Sequence, residues 1–168
     1  MKRIWAGWRM KYISGDRSSN CVFCEKLQAG DDASNYVVHR GERVALILNV
    51  FPYVNGHLLV VPYDHVADLE QLDDETLSDM MRMTVKGLRL LRRAMNPHGF
   101  NVGVNLGQAA GAGIQDHVHI HIVPRWQGDT NFMPVFGDVR VIPEWLGDTY
   151  TKLLDALRDA AGGSSGSG

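Results

Sequence analysis

The sequence has little cysteine: two among 168 residues, Cys21 and Cys24. Two thiols three positions apart do not make a disulfide framework. Charge of either sign is not in excess, because 17 Lys and Arg stand against 19 Asp and Glu for a net −2. No global field therefore draws the chain to nucleic acid or to a membrane surface, and an anionic substrate must be met by local groups. No apolar run reaches the roughly 18 residues that a spanning helix needs. The stretch MKRIWAGWRMKY lacks the apolar centre of a signal peptide. The cytosol is the expected location, and in a reducing compartment a C-x-x-C pair is more often metal-binding or redox-active than bridged. There is no internal repeat.

An apolar fraction of 45% and a charged fraction of 21% suit a globular protein with one sizeable core. Residues 1–20 read as a basic, aromatic arm, 21–161 as the domain and 162–168, GGSSGSG, as a flexible tail. Strand-like runs lie at 36–40, 43–49 and 57–62, with the turn FPYVNG suggesting a hairpin between the last two. A helix is predicted over about 73–95. Asp73 is its N-cap, Asp74 and Glu75 suit its first turn, Arg92 and Arg93 its last, and Asn96-Pro97 its end. Its apolar stripe is read as Leu77, Met80, Met81, Thr84, Leu88, Leu91 and Met95. Gly87 stands inside it at a cost of about 1 kcal/mol against alanine. Strands at 100–106 and 117–123 flank a glycine-rich loop, GQAAGAG, and a last helix is expected near 144–160. The sum is an α+β domain: a mostly antiparallel sheet of about five strands, a long helix and a C-terminal helix.

The most informative stretch is QDHVHIHIVPR, 115–125. On a strand, His117, His119 and His121 share one face, while Val118, Ile120 and Ile122 fill the other. Such a row is a polar sheet face, a metal site, or a histidine nucleophile between two neighbours. Neutral imidazole attacks phosphorus readily and the N–P bond is labile, which suits a two-step transfer. A neighbouring imidazole can fix the nucleophile's tautomer or donate a proton to the leaving oxygen. The loop at 107–113 lets backbone N–H groups approach a phosphate, and Asn105 is an uncharged donor for a phosphate or ribose oxygen.

HVHIHIV resembles the histidine triad (HIT) superfamily of nucleotide hydrolases and transferases. NVFPYVNGHLLVVPYDH (49–65), the long helix, NVGVN (101–105) and VPRW (123–126) follow the family's blocks in order. WAGWRMKYI (5–13) and GDTNFMPVFGD…VIPE (128–144) look like the bacterial branch related to diadenosine tetraphosphate phosphorylases and fragile histidine triad hydrolases. The resemblance implies that His119 is the nucleophile, that His117 and His121 flank it and that His57 completes a four-histidine site. It places Asn49 at the ribose, and Asn105, Gly111 and Gly113 at the phosphate. Relatives are homodimers that hold the long helix and a sheet edge against a second copy. The chain departs from many relatives at Gly113 and Ile114, where they carry Gln followed by Ser or Thr. Gln115 is the nearest polar replacement.

Cys21 and Cys24 alone could be a zinc half-site, a redox pair or packed thiols. The resemblance implies a structural zinc held by Cys21, Cys24, His65 and His117, since two thiolates and two imidazoles close a tetrahedron. The implied activity is cleavage of a diadenosine polyphosphate at the α-phosphate, with an adenine nucleotide as substrate and neither nucleic acid nor membrane as partner. A nucleoside phosphoramidate hydrolase and a zinc-stabilised nucleotide-binding module without turnover are the alternatives.

Overall fold

A computed structural model describes residues 21–129, 142 and 144–162. The expectations for the arm 1–20, for most of the 128–144 block and for nearly all of the tail lie outside the described residues. Short helices α1 (Val22–Gln28) and α2 (Asp32–Asn35) lead into strands β1 (Val37–Arg40), β2 (Val44–Leu48) and β3 (Leu58–Pro62). Helix α3 (Asp74–Met95), strands β4 (Gly99–Val104) and β5 (Ile120–Arg125) and helix α4 (Leu146–Gly162) complete the order. Helix α4 takes in Gly162, which composition assigns to the tail.

The five strands form one antiparallel sheet in the order β1-β2-β3-β5-β4. Strands β2 and β3 pair across the 51–56 turn and are buried at every residue, because both faces of the sheet are covered. Alternation divides them cleanly. Leu46, Leu48, Leu58 and Val60 face the helices, with Met80, Leu91, Ile122 and Leu153. Ala45, Ile47, Leu59 and Val61 face the opposite way, with Phe23 of α1. Each leucine, isoleucine and valine among them contributes about 1.5–3 kcal/mol by leaving water.

Helix α3 starts where its cap chemistry requires. The Asp73 carboxylate accepts from the Thr76 N–H at 2.7 Å. Asn96 ends the helix in the left-handed region at φ 45°, a conformation that asparagine tolerates at a helix C-terminus. The buried stripe is Thr76, Met80, Met83, Thr84, Gly87, Leu90 and Leu91. Met81 is therefore a correction: it is 58% exposed, and Met83 takes the core place. Two residues apart on a helix face different sides, and the sheet meets the side of Met83. Gly87 has a positive reason to be there. A Cβ at that position would stand 2.7 Å from Ile122 Cδ1 and 3.3 Å from Leu46 Cδ1, so glycine lets the helix lie close on the sheet.

A second correction concerns the histidine strand, expected over 117–123. Pairing begins at Ile120, so only His121 of the three lies within β5. The backbone before it is engaged elsewhere: the Val118 N–H donates to the Val66 carbonyl at 2.7 Å, and the His117 carbonyl accepts from a side chain. The apolar alternates still reach the core, since Val118, Ile120 and Ile122 all pack with the helices.

Candidate active site and metal centre

Register carries His121 to the sheet face away from the long helix, and His117 and His119 meet Phe23 on that same side. His121 stands opposite Leu59 of β3 and Gly103 of β4, and Leu59 belongs to the Phe23 side of the sheet. His57 enters β3 two residues before Leu59 and so shares that face. His57, His117 and His119 are buried, His121 partly so. The ring centroids of His119 and His121 are 4.7 Å apart, and those of His57 and His121 5.1 Å.

Hydrogen bonds fix which nitrogen of each ring carries the proton. The Tyr53 N–H donates to His57 Nδ1 at 3.1 Å. The Asn49 amide, oriented by the Phe51 N–H on its Oδ1, faces the same nitrogen at 3.2 Å. His57 Nδ1 is thus an acceptor, and the proton sits on Nε2, 2.9 Å from His121 Nδ1. His121 then accepts on Nδ1 and carries its hydrogen on Nε2, a buried atom with no protein partner among the described residues. His119 is set the other way round. Its Nδ1 lies 2.9 Å from the His117 carbonyl, which can only accept, so Nδ1 carries the proton and Nε2 keeps a lone pair. Two adjacent rings therefore present a nucleophilic nitrogen and a donor.

Burial disfavours the charged form of both rings. It lowers the pKa of His119, opposed by the bond to the His117 carbonyl. It pushes His121 down to about 4, helped by the proximity of His119. A neutral imidazole has the lone pair that attack requires.

His117 faces away from this pair. Its Nε2–H donates to the Pro62 carbonyl at 2.9 Å, which leaves Nδ1 bare. That Nδ1 stands 3.2 Å from Cys21 Sγ, 3.6 Å from Cys24 Sγ and 3.3 Å from His65 Nδ1. Cys24 Sγ is 3.4 Å from His65 Nδ1, and all four atoms lie within 4.8 Å of one another. Metal–ligand bonds of about 2.0–2.3 Å in a tetrahedron put ligand atoms roughly 3.3–3.8 Å apart. The four residues fit zinc, with the Pro62 carbonyl as the outer partner that orients His117. Burial pushes the Cys24 thiol up, with Cys21 beside it adding to the shift, which is the cost a bound cation offsets by binding thiolate.

The other expected positions divide by location. Asn105 comes one residue after the Val104–Ile120 pair, at the end of β4 on the parity of Gly103. The 107–113 loop makes one tight turn at Gln108–Ala110. Gly107 (φ 76°) and Gly111 (φ 83°) occupy the left-handed region, which glycine tolerates. Gly111, Gly113 and Gln115 are exposed. Asn49 also serves the turn and His57, as above. Three residues had no signal in the sequence. Phe23, inside the C-x-x-C, meets the rings of His117 and His119 edge-on at 5.5 and 5.0 Å. Tyr53 covers His57 and His121, and Asn55 ties the same turn to α4. His39 and His98, to which the sequence assigns no role, meet Lys86 and the Gln127 N–H.

Residues 31–128 match the HIT domain model. The chain belongs to the HIT family. The family match spans α2 to the end of β5, with all four histidines of the site inside it. Similar proteins include the AP-4-A phosphorylase of Mycobacterium tuberculosis, 42% identical over 150 residues, covering 84% of this chain and 76% of that one. Among solved structures, a Zn-bound histidine triad family protein from Mycobacterium smegmatis superposes with a TM-score of 0.71 at 29% identity, over 87% of this chain and 99% of that one. A hypothetical histidine triad nucleotide-binding protein from Sulfolobus tokodaii gives 0.67 at 27% identity, over 85% and 93%. No helix among the described residues is long and apolar enough to cross a membrane.

Proposed function

We propose that this HIT protein cleaves diadenosine tetraphosphate through a nucleotidyl-histidine intermediate on His119, with phosphate as the second acceptor. The observation that carries the reading is the opposed pair of tautomers, a lone pair on His119 Nε2 beside an N–H on His121 Nε2. His119 Nε2 attacks the α-phosphorus of one nucleotide. An N–P bond forms, and the P–O bond to the rest of the chain breaks, so that ATP leaves with the electron pair. The leaving phosphate carries that charge itself, and His121 Nε2–H stabilises it by a hydrogen bond. An oxygen of inorganic phosphate then attacks the nucleotidyl-histidine. The N–P electrons return to His119 and ADP is released. The name of the Mycobacterium tuberculosis relative supports phosphate over water as acceptor.

In this reading His57 holds the tautomer of His121, and His117 acts on His119 through its carbonyl. The N–H groups around Gly111 and Gly113, with Asn105 and Gln115, bind phosphate, while Asn49 meets the ribose. Zinc in the Cys21–Cys24–His65–His117 cluster would be structural and leave no position open to substrate. The active form is a homodimer. One support is the edge position of β4 in the sheet, where Val102 is half exposed. Another is Met81 and Val85, which stand exposed on α3. A strand edge and an apolar helix face left uncovered among the described residues both favour a covering partner. The cytosol, with its reduced thiols and free nucleotides, is the setting that fits.

Product analysis of diadenosine tetraphosphate with and without phosphate, beside His119→Asn, tests this reading. Phosphate-dependent ADP and ATP, lost in the variant while nucleotide binding persists, is the expected result. AMP and ATP regardless of phosphate would replace phosphorolysis by hydrolysis. Near-normal turnover by His119→Asn would remove the nucleophile assignment.

A further inference from the structure

We infer that Tyr53 is a positioning residue that sets the hydrogen-bond direction of the His57–His121 pair, acting through its backbone and its ring at once. The inference rests on the catalytic reading of that pair, but the geometry stands by itself. The Tyr53 N–H donates to His57 Nδ1 at 3.1 Å, which places the His57 proton on Nε2. The Tyr53 ring stacks on His121 with centroids 5.8 Å apart and planes 18° from parallel. It lies tilted on His57 at 4.7 Å and 39°. One side chain therefore covers both rings joined by the 2.9 Å bond.

Uncovered, a pair of neutral histidines has no fixed hydrogen-bond direction. A neutral imidazole has two tautomers of similar energy, and water can serve either nitrogen. His57 Nε2–H donating to His121 Nδ1 leaves the donor of His121 on Nε2; the reverse direction would put a lone pair there and remove the donor from the leaving oxygen. The backbone donor selects the His57 tautomer. The stacked ring keeps water from competing for the bond and holds the plane of His121, so the selection passes to the second ring. Titratable rings facing His121 are His57, His119 and Tyr53.

The turn bearing Tyr53 is itself held from a distance. Asn55 Nδ2 donates to Glu144 Oε2 at 2.8 Å, and the fully buried Thr149 hydroxyl lies within reach of both Asn55 Oδ1 and Glu144 Oε2, at 2.9 and 2.7 Å. Glu144 is also paired with Lys152. The start of α4 thereby fixes a turn that would otherwise be free to swing the ring off the pair.

The test compares Tyr53→Ala, Tyr53→Leu and Tyr53→Phe in the full chain. Two readouts are taken: histidine ring 15N NMR, and kcat and KM for diadenosine tetraphosphate. Wild type and Tyr53→Phe should show His121 protonated on Nε2. Tyr53→Ala and Tyr53→Leu keep the backbone N–H on His57 and lose only the ring over His121, so they should show averaged tautomers at His121 alone, with kcat down tenfold or more and KM within threefold. Leucine retains apolar bulk, so it separates loss of the stacked face from collapse of the turn. An unchanged His121 tautomer in both Ala and Leu variants, or kcat within twofold of wild type in both, overturns the proposal. The NMR readout needs no turnover. A wild type inactive on the dinucleotide but with the expected tautomer change in the variants would therefore count against the substrate reading and support the role of Tyr53.

Discussion

His57 Nε2 lies 2.9 Å from His121 Nδ1, across 64 residues of sequence, and this contact leaves the His121 hydrogen on Nε2, a buried nitrogen with no partner among the described residues. Replacing His57 by alanine removes the donor and frees His121 to take either tautomer. We expect kcat to fall by about 100-fold, the lower end of what a positioned donor contributes, with KM little changed. Steady-state kinetics on the purified variant decide it; equal effects on KM alone would assign His57 to substrate binding instead.

The pH dependence of stability follows from His121. Its pKa is held at about 4 in the folded chain by burial and by His119, against about 6.5 for a free imidazole. Between these values the unfolded chain binds more protons, so stability increases with pH. It is fully present above about 6.5 and is lost progressively as pH falls through about 4. Burial lowers His119 in the same direction. Melting temperature measured across this window should drop in wild type and vary less in His121→Asn. Parallel curves would mean that His121 binds its proton alike in the folded and unfolded chain.

Metal analysis should find about one zinc per chain, the content of a single closed site. Cys21→Ser takes away the sulfur nearest His117 Nδ1, at 3.2 Å. It should lose the metal and lower the melting temperature. A stable native protein without zinc, unaffected by the substitution, would refute the site.

Gly87→Ala sets two effects against each other. Alanine gains about 1 kcal/mol in helix propensity. Its methyl would meet Ile122 Cδ1 at 2.7 Å and Leu46 Cδ1 at 3.3 Å, and both side chains are fully buried. Overpacking of this kind costs about 1–3 kcal/mol. We expect net destabilisation of about 1 kcal/mol, and Ile122→Val, which deletes the offending methyl, should make the second substitution milder. Denaturant titration of the two single variants and the double variant measures the coupling.

Much of the fold was legible because its signals are local. Asp73 and Asn96 bound α3 by cap chemistry, and the alternation of β2 and β3 needs only a period of two. The stripe of α3 was legible only in part: helical spacing put Met81 in it, and the approach of the sheet buries Met83 instead. The histidine row misled in its length. Alternation implies a strand from His117, whereas the Val118 N–H leaves the ladder for Val66.

By itself the sequence determined the residue types of the site: three imidazoles in alternation, a fourth before β3, two thiols three apart and a loop that tolerates left-handed turns. It also placed them in the HIT family by order and spacing. Tertiary structure decided what each does. His117, His119 and His121 are neighbours in the chain, yet one turns to the thiols, one keeps a lone pair and one keeps a donor. The reason is physical: an imidazole's proton goes to whichever nitrogen meets an acceptor. Those partners, the Pro62 carbonyl for His117 and His57 for His121, come from residues far along the chain that only folding brings to hydrogen-bonding distance.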